Sequence, residues 1–451
     1  MERITVDLSH VIRTGARDGV GINLNYLVDS DKNRPDAPPI AQVLGGMGMK
    51  RLRYPGGEKS DTHFWKLAGE RVEQLNYNPD YRKLKLEDGL ELLEFDKYVE
   101  LCRECGAQPF VVTAYDNPLK YETKYNMKVT LEDCIENAVA WLTYANLTKR
   151  YGITYWEIGN ENWHPESGMH PSRAGDDIRA IAEAMKAVDP SIKIGVSGMD
   201  HAGWWPVFLP KVSDVIDFLT VSEYACLNWG GYDHYVRHPE VNLLVQATEA
   251  LRAIKDYADP ASKDRLTVVI TECNSKDFCR VPGGAWDSSN SLGHALVTFE
   301  LFGQALLQPK IEFTMLWNTR WIKPEEPSIW DALNPANGLN PSGRAPAIWG
   351  QFLHDHMVAS SSTAYIRSFA SYDPRTGGMS VFLINKSYEE QPIELRIEGV
   401  EQPSAPSAVW RLEGTGPDDT APIWYRAAEM TDVTAAVTLP PVSISVITAQ
   451  S

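Results

Sequence analysis

Six cysteines, at positions 102, 105, 134, 226, 273 and 279, are too few and too scattered in 451 residues for a disulfide framework. Cys102 and Cys105 form a lone Cys-x-x-Cys inside a helical pattern, and with no second pair nearby the reading is helix packing. No apolar run approaches the length of a membrane span, and Met1 to Asp7 hold no secretory core, so a cytoplasmic location is expected. Positive charge is scarce as well: 43 basic residues face 60 acidic ones, a formal charge of −17. That balance counts against nucleic acid or an anionic membrane as a partner. No Gly-x-Gly-x-x-Gly turn follows the first strand-like run, and no nucleophile elbow accompanies a Ser-His-Asp order. His164, Glu166 and His170 match no helix-borne His-Glu-x-x-His. Neither cofactor nor metal is expected.

What the chain does have is short β-branched runs alternating with helical patterns. Eight runs read as strands, over 20–27, 51–54, 109–115, 155–159, 192–197, 218–224, 267–271 and 311–317. Apolar residues recur at helical spacing over 92–105, 131–150, 174–188, 205–212, 241–257 and 291–307. Thr130 suits an N-cap and Gly106 a helix stop. Eight strands alternating with helices predict a (β/α)8 TIM barrel, an α/β fold; a doubly wound sheet is the alternative. Beyond a last barrel helix over 345–357 the pattern changes to short alternating strands over 365–371, 378–385, 393–397, 407–412, 435–439 and 443–449. The expected division is a strand within 1–15 that joins a C-terminal β-sandwich, a barrel over 16–357 and the antiparallel sandwich over 358–451.

Barrel enzymes build their sites at the C-terminal strand ends. The fourth strand ends Gly159-Asn160-Glu161-Asn162-Trp163, and the seventh ends Glu272-Cys273-Asn274. Other tips carry Arg53-Tyr54-Pro55-Gly56-Gly57-Glu58, Asp116-Asn117, Glu223-Tyr224 and Trp317-Asn318. Fourth and seventh strands face each other across an eight-stranded barrel. Two carboxyls there can cleave an acetal, with roughly 5–5.5 Å between them for retention or roughly 6.5–9.5 Å for inversion. The amide of Asn160 suits a sugar hydroxyl, and aromatic rings suit sugar faces. Among loop tryptophans, Trp229, Trp286 and Trp321 are the candidates for stacking, and the segment 273–290 is expected to wall the pocket. Cys273 should point away from Glu272 if strand alternation holds.

The Asn160-Glu161 tip at the fourth strand, with Glu272 ending the seventh, resembles the clan A retaining glycoside hydrolases. The Arg-Tyr-Pro-Gly-Gly run at 53–57 and the barrel-plus-sandwich layout are similar to α-L-arabinofuranosidases of family 51 and their relatives, β-xylosidases of family 39 and β-glucuronidases of family 79. With Glu58 included, the run also resembles family 86 agarases and porphyranases. The resemblance implies that Glu161 is the acid/base and Glu272 the nucleophile. Asn160 would bond the sugar 2-hydroxyl, Tyr224 would orient the nucleophile and Arg53 would lie beneath it. An arginine beside a carboxylate favours its ionised form, as a nucleophile needs. Glu58 stands where family 51 usually has asparagine, and Ser222 where it usually has histidine. Glu58, Trp317, Trp163, Asn117 and Trp286 complete the expected carbohydrate-binding set.

The expected activity is retaining hydrolysis of plant or algal oligo- or polysaccharides, of the α-L-arabinofuranosidase or β-xylosidase kind. The alternatives are an endo-acting galactan hydrolase and a non-catalytic carbohydrate-binding barrel. The resemblance also leaves room for a homo-oligomer.

Overall fold

In a computed structural model of the chain, eight parallel strands close a barrel in sequence order. The structure describes residues 2–65, 89–125, 127–199, 203–276, 286–287, 289–321, 328–399, 407–430 and 436–449. Strand β1 (Glu2–Arg13) lies outside the barrel. The barrel consists of β2 (Val20–Asn23), β3 (Arg51–Tyr54), β4 (Gln108–Thr113), β5 (Tyr155–Ile158), β6 (Lys193–Ser197), β7 (Phe218–Tyr224), β8 (Thr267–Asn274) and β9 (Ile311–Leu316).

The interior is layered by strand alternation. Phe110, Val112, Tyr155, Phe218, Val269, Phe313 and Met315 fill its lower part as one apolar cluster. Their neighbours Val111, Trp156, Leu219, Val221, Val268 and Ile270 point outward and join the larger core under the helices. Two barrel strands depart from the sequence reading by three residues or more at one end. β2 stops at Asn23 because the chain turns at Asn25, whose side chain accepts from Leu27 N and whose carbonyl accepts from Val28 and Asp29. β8 continues to Asn274, three residues past the apolar run. Helix Leu131–Leu142 begins in a capping box: Thr130 and Asp133 each bond the other's backbone N–H. A short helix, Ile40–Gly46, was not legible because it holds only seven residues, two of them glycine.

The C-terminal region is a nine-stranded sheet. It comprises β10 (His356–Ser360), β11 (Ile366–Asp373), β12 (Gly378–Asn385), β13 (Gln391–Glu398), β14 (Ser407–Glu413), β15 (Ile423–Met430), β16 (Val437–Leu439), β17 (Ser443–Ala449) and β1. All neighbours are antiparallel except β1 and β13, which run parallel. The expected sandwich is thus one continuous hydrogen-bonded sheet around its own core. The last barrel helix, Pro341–Phe352, ends earlier than expected, because His356 and Met357 belong to β10.

β12 is buried along its whole length and serves two cores. Val381 and Leu383 join the sheet's own cluster with Ile4, Val6 and Ile447, while Phe382 and Ile384 join the barrel's core. At this seam lies a buried ion cluster. Glu300 and Lys386, each fully buried, pair at 2.8 Å, and Arg367 Nε lies 2.9 Å from the other Glu300 oxygen. Tyr235 OH and Gln304 Nε2 also donate to Glu300. Lys386 Nζ donates to Pro239 O and sits 3.9 Å from the Tyr235 ring centre.

Among the described residues no helix is long and apolar enough to cross a membrane, and no cluster of His, Cys, Asp or Glu could hold a metal. Cys102, Cys105, Cys134, Cys226 and Cys273 are free thiols; Cys279 lies outside the described residues.

Candidate active site

Strand β7 aims one residue in two at the barrel axis. Phe218 lies in the lower interior cluster, Thr220 Oγ1 donates to Glu157 at 2.6 Å, Ser222 Oγ to Glu161 at 2.6 Å, and Tyr224 OH to Glu272 at 3.0 Å. Glu223, between the last two, points outward and accepts from Ala247 N. Burial pushes its carboxyl up to about 8, despite bonds from the amides that open helix Val245–Tyr257.

Glu272 reaches the axis through an irregularity in β8. Val269 points inward and Val268 and Ile270 outward, so strict alternation would turn Glu272 outward too. Val221 pairs with Ile270, yet the next residue, Ser222, pairs with Glu272. Thr271 is therefore the extra residue of a β-bulge, which brings Glu272 inward and sends Cys273 into the outer core. Cys273 does face away from Glu272, as expected.

Arg53, 1% exposed, ties the site together. Its Nε donates to Glu157 at 2.8 Å, its Nη1 to Glu272 at 2.8 Å and to Asn23 at 3.0 Å, and its Nη2 to Asn160 at 2.8 Å. Asn23 is itself held by the carbonyls of Thr271 and Leu316. Burial works against the Arg53 charge, but Glu157 and Glu272 hold its guanidinium above its ordinary range. Burial lifts Glu157 above its ordinary value even so, Arg53 pulling it down and the charge of Glu272 pushing it up.

Beyond Ile158 the chain turns sharply. Gly159 has φ 69° and Glu161 φ 46°, a left-handed conformation unusual outside glycine. Asp61, on the turn after β3, accepts from Asn160 N at 2.9 Å. With Oδ1 of Asn160 occupied by Arg53, its Nδ2 has no partner among the described residues and remains as a donor.

The structure thus brings Glu161, Glu272, Asn160, Tyr224 and Arg53 together. The other expected binding residues make contacts of their own. Trp317 lies at the tip of β9, packed so closely on Gly57 that a Cβ there would run into the ring. Trp163 is half-buried with its ring 5.6 Å from His164. Glu58 accepts from Lys124 and Tyr125, fastening helix Pro118–Tyr125 to the turn after β3. Asn117 uses both ends of its amide within loops, donating to Ser167 O and accepting from Leu119 N.

Trp286 is 3% exposed and stacks on His294 at 3.8 Å and on Trp229 at 6.4 Å. A ring so enclosed offers no free face to a sugar, so Trp286 and the equally packed Trp229 are corrected to core residues. Of the 273–290 loop, 277–285 and 288 lie outside the described residues.

Four residues of this network escaped sequence reading. Glu157 and Asn23 carried a signal, a lone polar group within or closing an apolar parallel strand. Thr220 and Lys59 carried none. Lys59, on the turn Gly57–Thr62, is 2% exposed, its Nζ 4.8 Å from the ring centre of Trp317 and 5.2 Å from that of Trp321.

Residues 43–234 match the family model of the alpha-L-arabinofuranosidase 1 domain. A probable alpha-L-arabinofuranosidase C of Aspergillus fumigatus is 26% identical across 60% of this chain and 56% of its own length. Alpha-L-arabinofuranosidase C of Emericella nidulans is 24% identical across 59% and 55%. The chain spans little more than half the length of the curated relatives it matches. Among solved structures, an alpha-L-arabinofuranosidase of Thermotoga maritima in an arabinose complex superposes with a TM-score of 0.77 over 100% of both chains at 19% identity. A glucosidase of Croceicoccus marinus superposes with a TM-score of 0.67, over 100% of this chain and 99% of its own, at 13% identity. The chain therefore resembles the clan A glycoside hydrolases of the family 51 type, in a fold shared by proteins named for different sugars.

Proposed function

We propose that this chain is a retaining glycoside hydrolase that works by double displacement, with Glu272 as nucleophile and Glu161 as acid/base. The observation that carries this reading is the Arg53 fork, which grips Glu272 and Asn160 at once. A nucleophilic carboxylate must be fixed in direction; Arg53 on one oxygen and Tyr224 on the other hold it so. Asn160, its carbonyl oxygen taken, presents an N–H to the sugar hydroxyl next to the anomeric carbon.

Glu272 attacks the anomeric carbon while Glu161 gives its proton to the departing glycosidic oxygen. The covalent glycosyl-enzyme then meets water, which loses a proton to Glu161 and attacks the same carbon, releasing Glu272 and the sugar with its original configuration. Ser222 donates to one Glu161 oxygen and steadies the carboxyl in both steps.

The names of the relatives make aryl α-L-arabinofuranosides the first substrates to test, with β-xylosides beside them. Glu272→Ala and Glu161→Ala are each expected to abolish turnover of any accepted substrate. Azide should restore Glu161→Ala through a glycosyl azide of retained configuration. Release of the inverted anomer by the wild type, followed by NMR, would overturn the mechanism.

A further inference from the structure

Among the described residues, no carboxylate hydrogen-bonds the charge of Lys59. The described acids that act on it have basic partners of their own: Glu272 has Arg53, Glu58 has Lys124 and Asp29 has Arg320. Lys59 lies against the indoles of Trp317 and Trp321, and none of its three N–H donors meets an acceptor among the described residues. Cation–ring attraction offsets part of the cost of burying an ammonium, but it supplies no hydrogen bond. Trp317 Nε1–H is buried beside it and also lacks an acceptor among the described residues. The two groups share one property: they donate and cannot accept. A neutral sugar hydroxyl does not require such a pair, whereas an oxyanion does.

We propose that the sugar held beside Glu272 carries an anionic substituent, a carboxylate or a sulfate ester, and that Lys59 over Trp317 is its counter-charge. This inference rests on the glycosidase reading and names its substrate class: uronides or sulfated glycosides. Burial brings the Lys59 ammonium down to about 8, against the pull of Glu272, Glu58 and Asp29 and together with the push of Arg53. The counter-charge is therefore in place at neutral pH and is lost in mild alkali.

The test uses matched 4-nitrophenyl glycosides that differ at one carbon: glucuronide against glucoside, galacturonide against galactoside, and galactoside 6-sulfate against galactoside. Carboxylate and sulfate arms are read separately. In at least one pair the charged member should exceed its neutral partner in kcat/KM by about tenfold or more at pH 6. Lys59→Met should reduce that ratio about tenfold, and Lys59→Arg, which keeps the charge, should reduce it less. If Lys59→Met does not fold, the wild-type ratio decides: it should fall about tenfold between pH 6 and 9.5, where neither substrate anion titrates. Preference for the neutral member in every pair, or a ratio indifferent to both Lys59→Met and pH, overturns the proposal.

Binding of glucuronate, galacturonate and galactose 6-sulfate, against glucose and galactose, is measured by calorimetry on the same proteins. If no glycoside is hydrolysed, the glycosidase reading falls and calorimetry decides for Lys59. Tighter anion binding that is lost in Lys59→Met upholds the site, and equal binding of charged and neutral sugars overturns it.

Discussion

Two of the buried ion clusters among the described residues differ in what surrounds them. At the seam between barrel and sheet, Glu300 faces Lys386 and Arg367, with Tyr235 and Gln304 filling its remaining positions. At the barrel mouth, Arg53 faces Glu157 and Glu272, but Asn160 Nδ2 and the Lys59 ammonium are left as donors without acceptors among the described residues. A cluster that closes on itself fixes two structural units against each other. One that closes on three sides and leaves donors on the fourth is arranged for something that arrives. Burial of charge alone does not mark a site; unanswered hydrogen-bonding capacity does.

The comparison breaks most visibly if each cluster loses its central carboxylate. Glu272→Gln should lower kcat/KM by about ten-thousandfold or more while leaving the melting temperature unchanged or raised, since active-site charges are commonly held at the expense of stability. Glu300→Ala should do the reverse. It strands two cations in the seam and should lower unfolding stability by about 3–5 kcal/mol in urea titrations, with kcat/KM per folded molecule unaltered.

Arg53→Lys sharpens the contrast within the mouth. A lysine cannot hold Glu157, Glu272 and Asn160 in one plane, and kcat should fall about a hundredfold with a small change in stability.

Glu223 is a third case, a buried carboxyl with backbone amides and no partner cation. Its folded value, about 8, lies above its ordinary 4.5, so the folded state holds a proton that the unfolded state releases. Stability from this group is present at low pH and is lost as pH rises through that window. Glu223→Gln should remove a decline on the order of 2 kcal/mol between pH 5 and 8, read from urea midpoints across pH.

Barrel and sheet differed in how far the sequence revealed them. Parallel strands buried on both faces stand out as apolar runs, so all eight barrel strands were legible, whereas β15 was not. It is an edge strand with an exposed first residue and an Ala-Ala-Glu-Met end that reads as helix. β10 was absorbed into the preceding helix because His356 and Met357 continue its apolar spacing. At the site, Glu161, Glu272, Asn160, Tyr224 and Arg53 drew attention because charged or amide groups at strand tips need a reason. Thr220 and Lys59 were silent. A threonine in a strand is ordinary, and a lysine among Glu58, Ser60 and Asp61 looks solvated until the fold buries it. Trp286 misled for the opposite reason: a loop tryptophan looks available, and the fold encloses it.

The bulge at Thr271 has a consequence for variants of this chain. Which way Glu272 faces is a matter of parity, set by whether Thr271 takes a place in the pairing after Ile270. Straightening the bulge, so that Thr271 paired as an ordinary strand residue, would leave both glutamates, the arginine and every surrounding side chain in the sequence. It would still turn the nucleophile toward the helices and put Cys273 in its place. An inventory of catalytic residues would pass such a chain as active, and only the pairing along β8 would betray it.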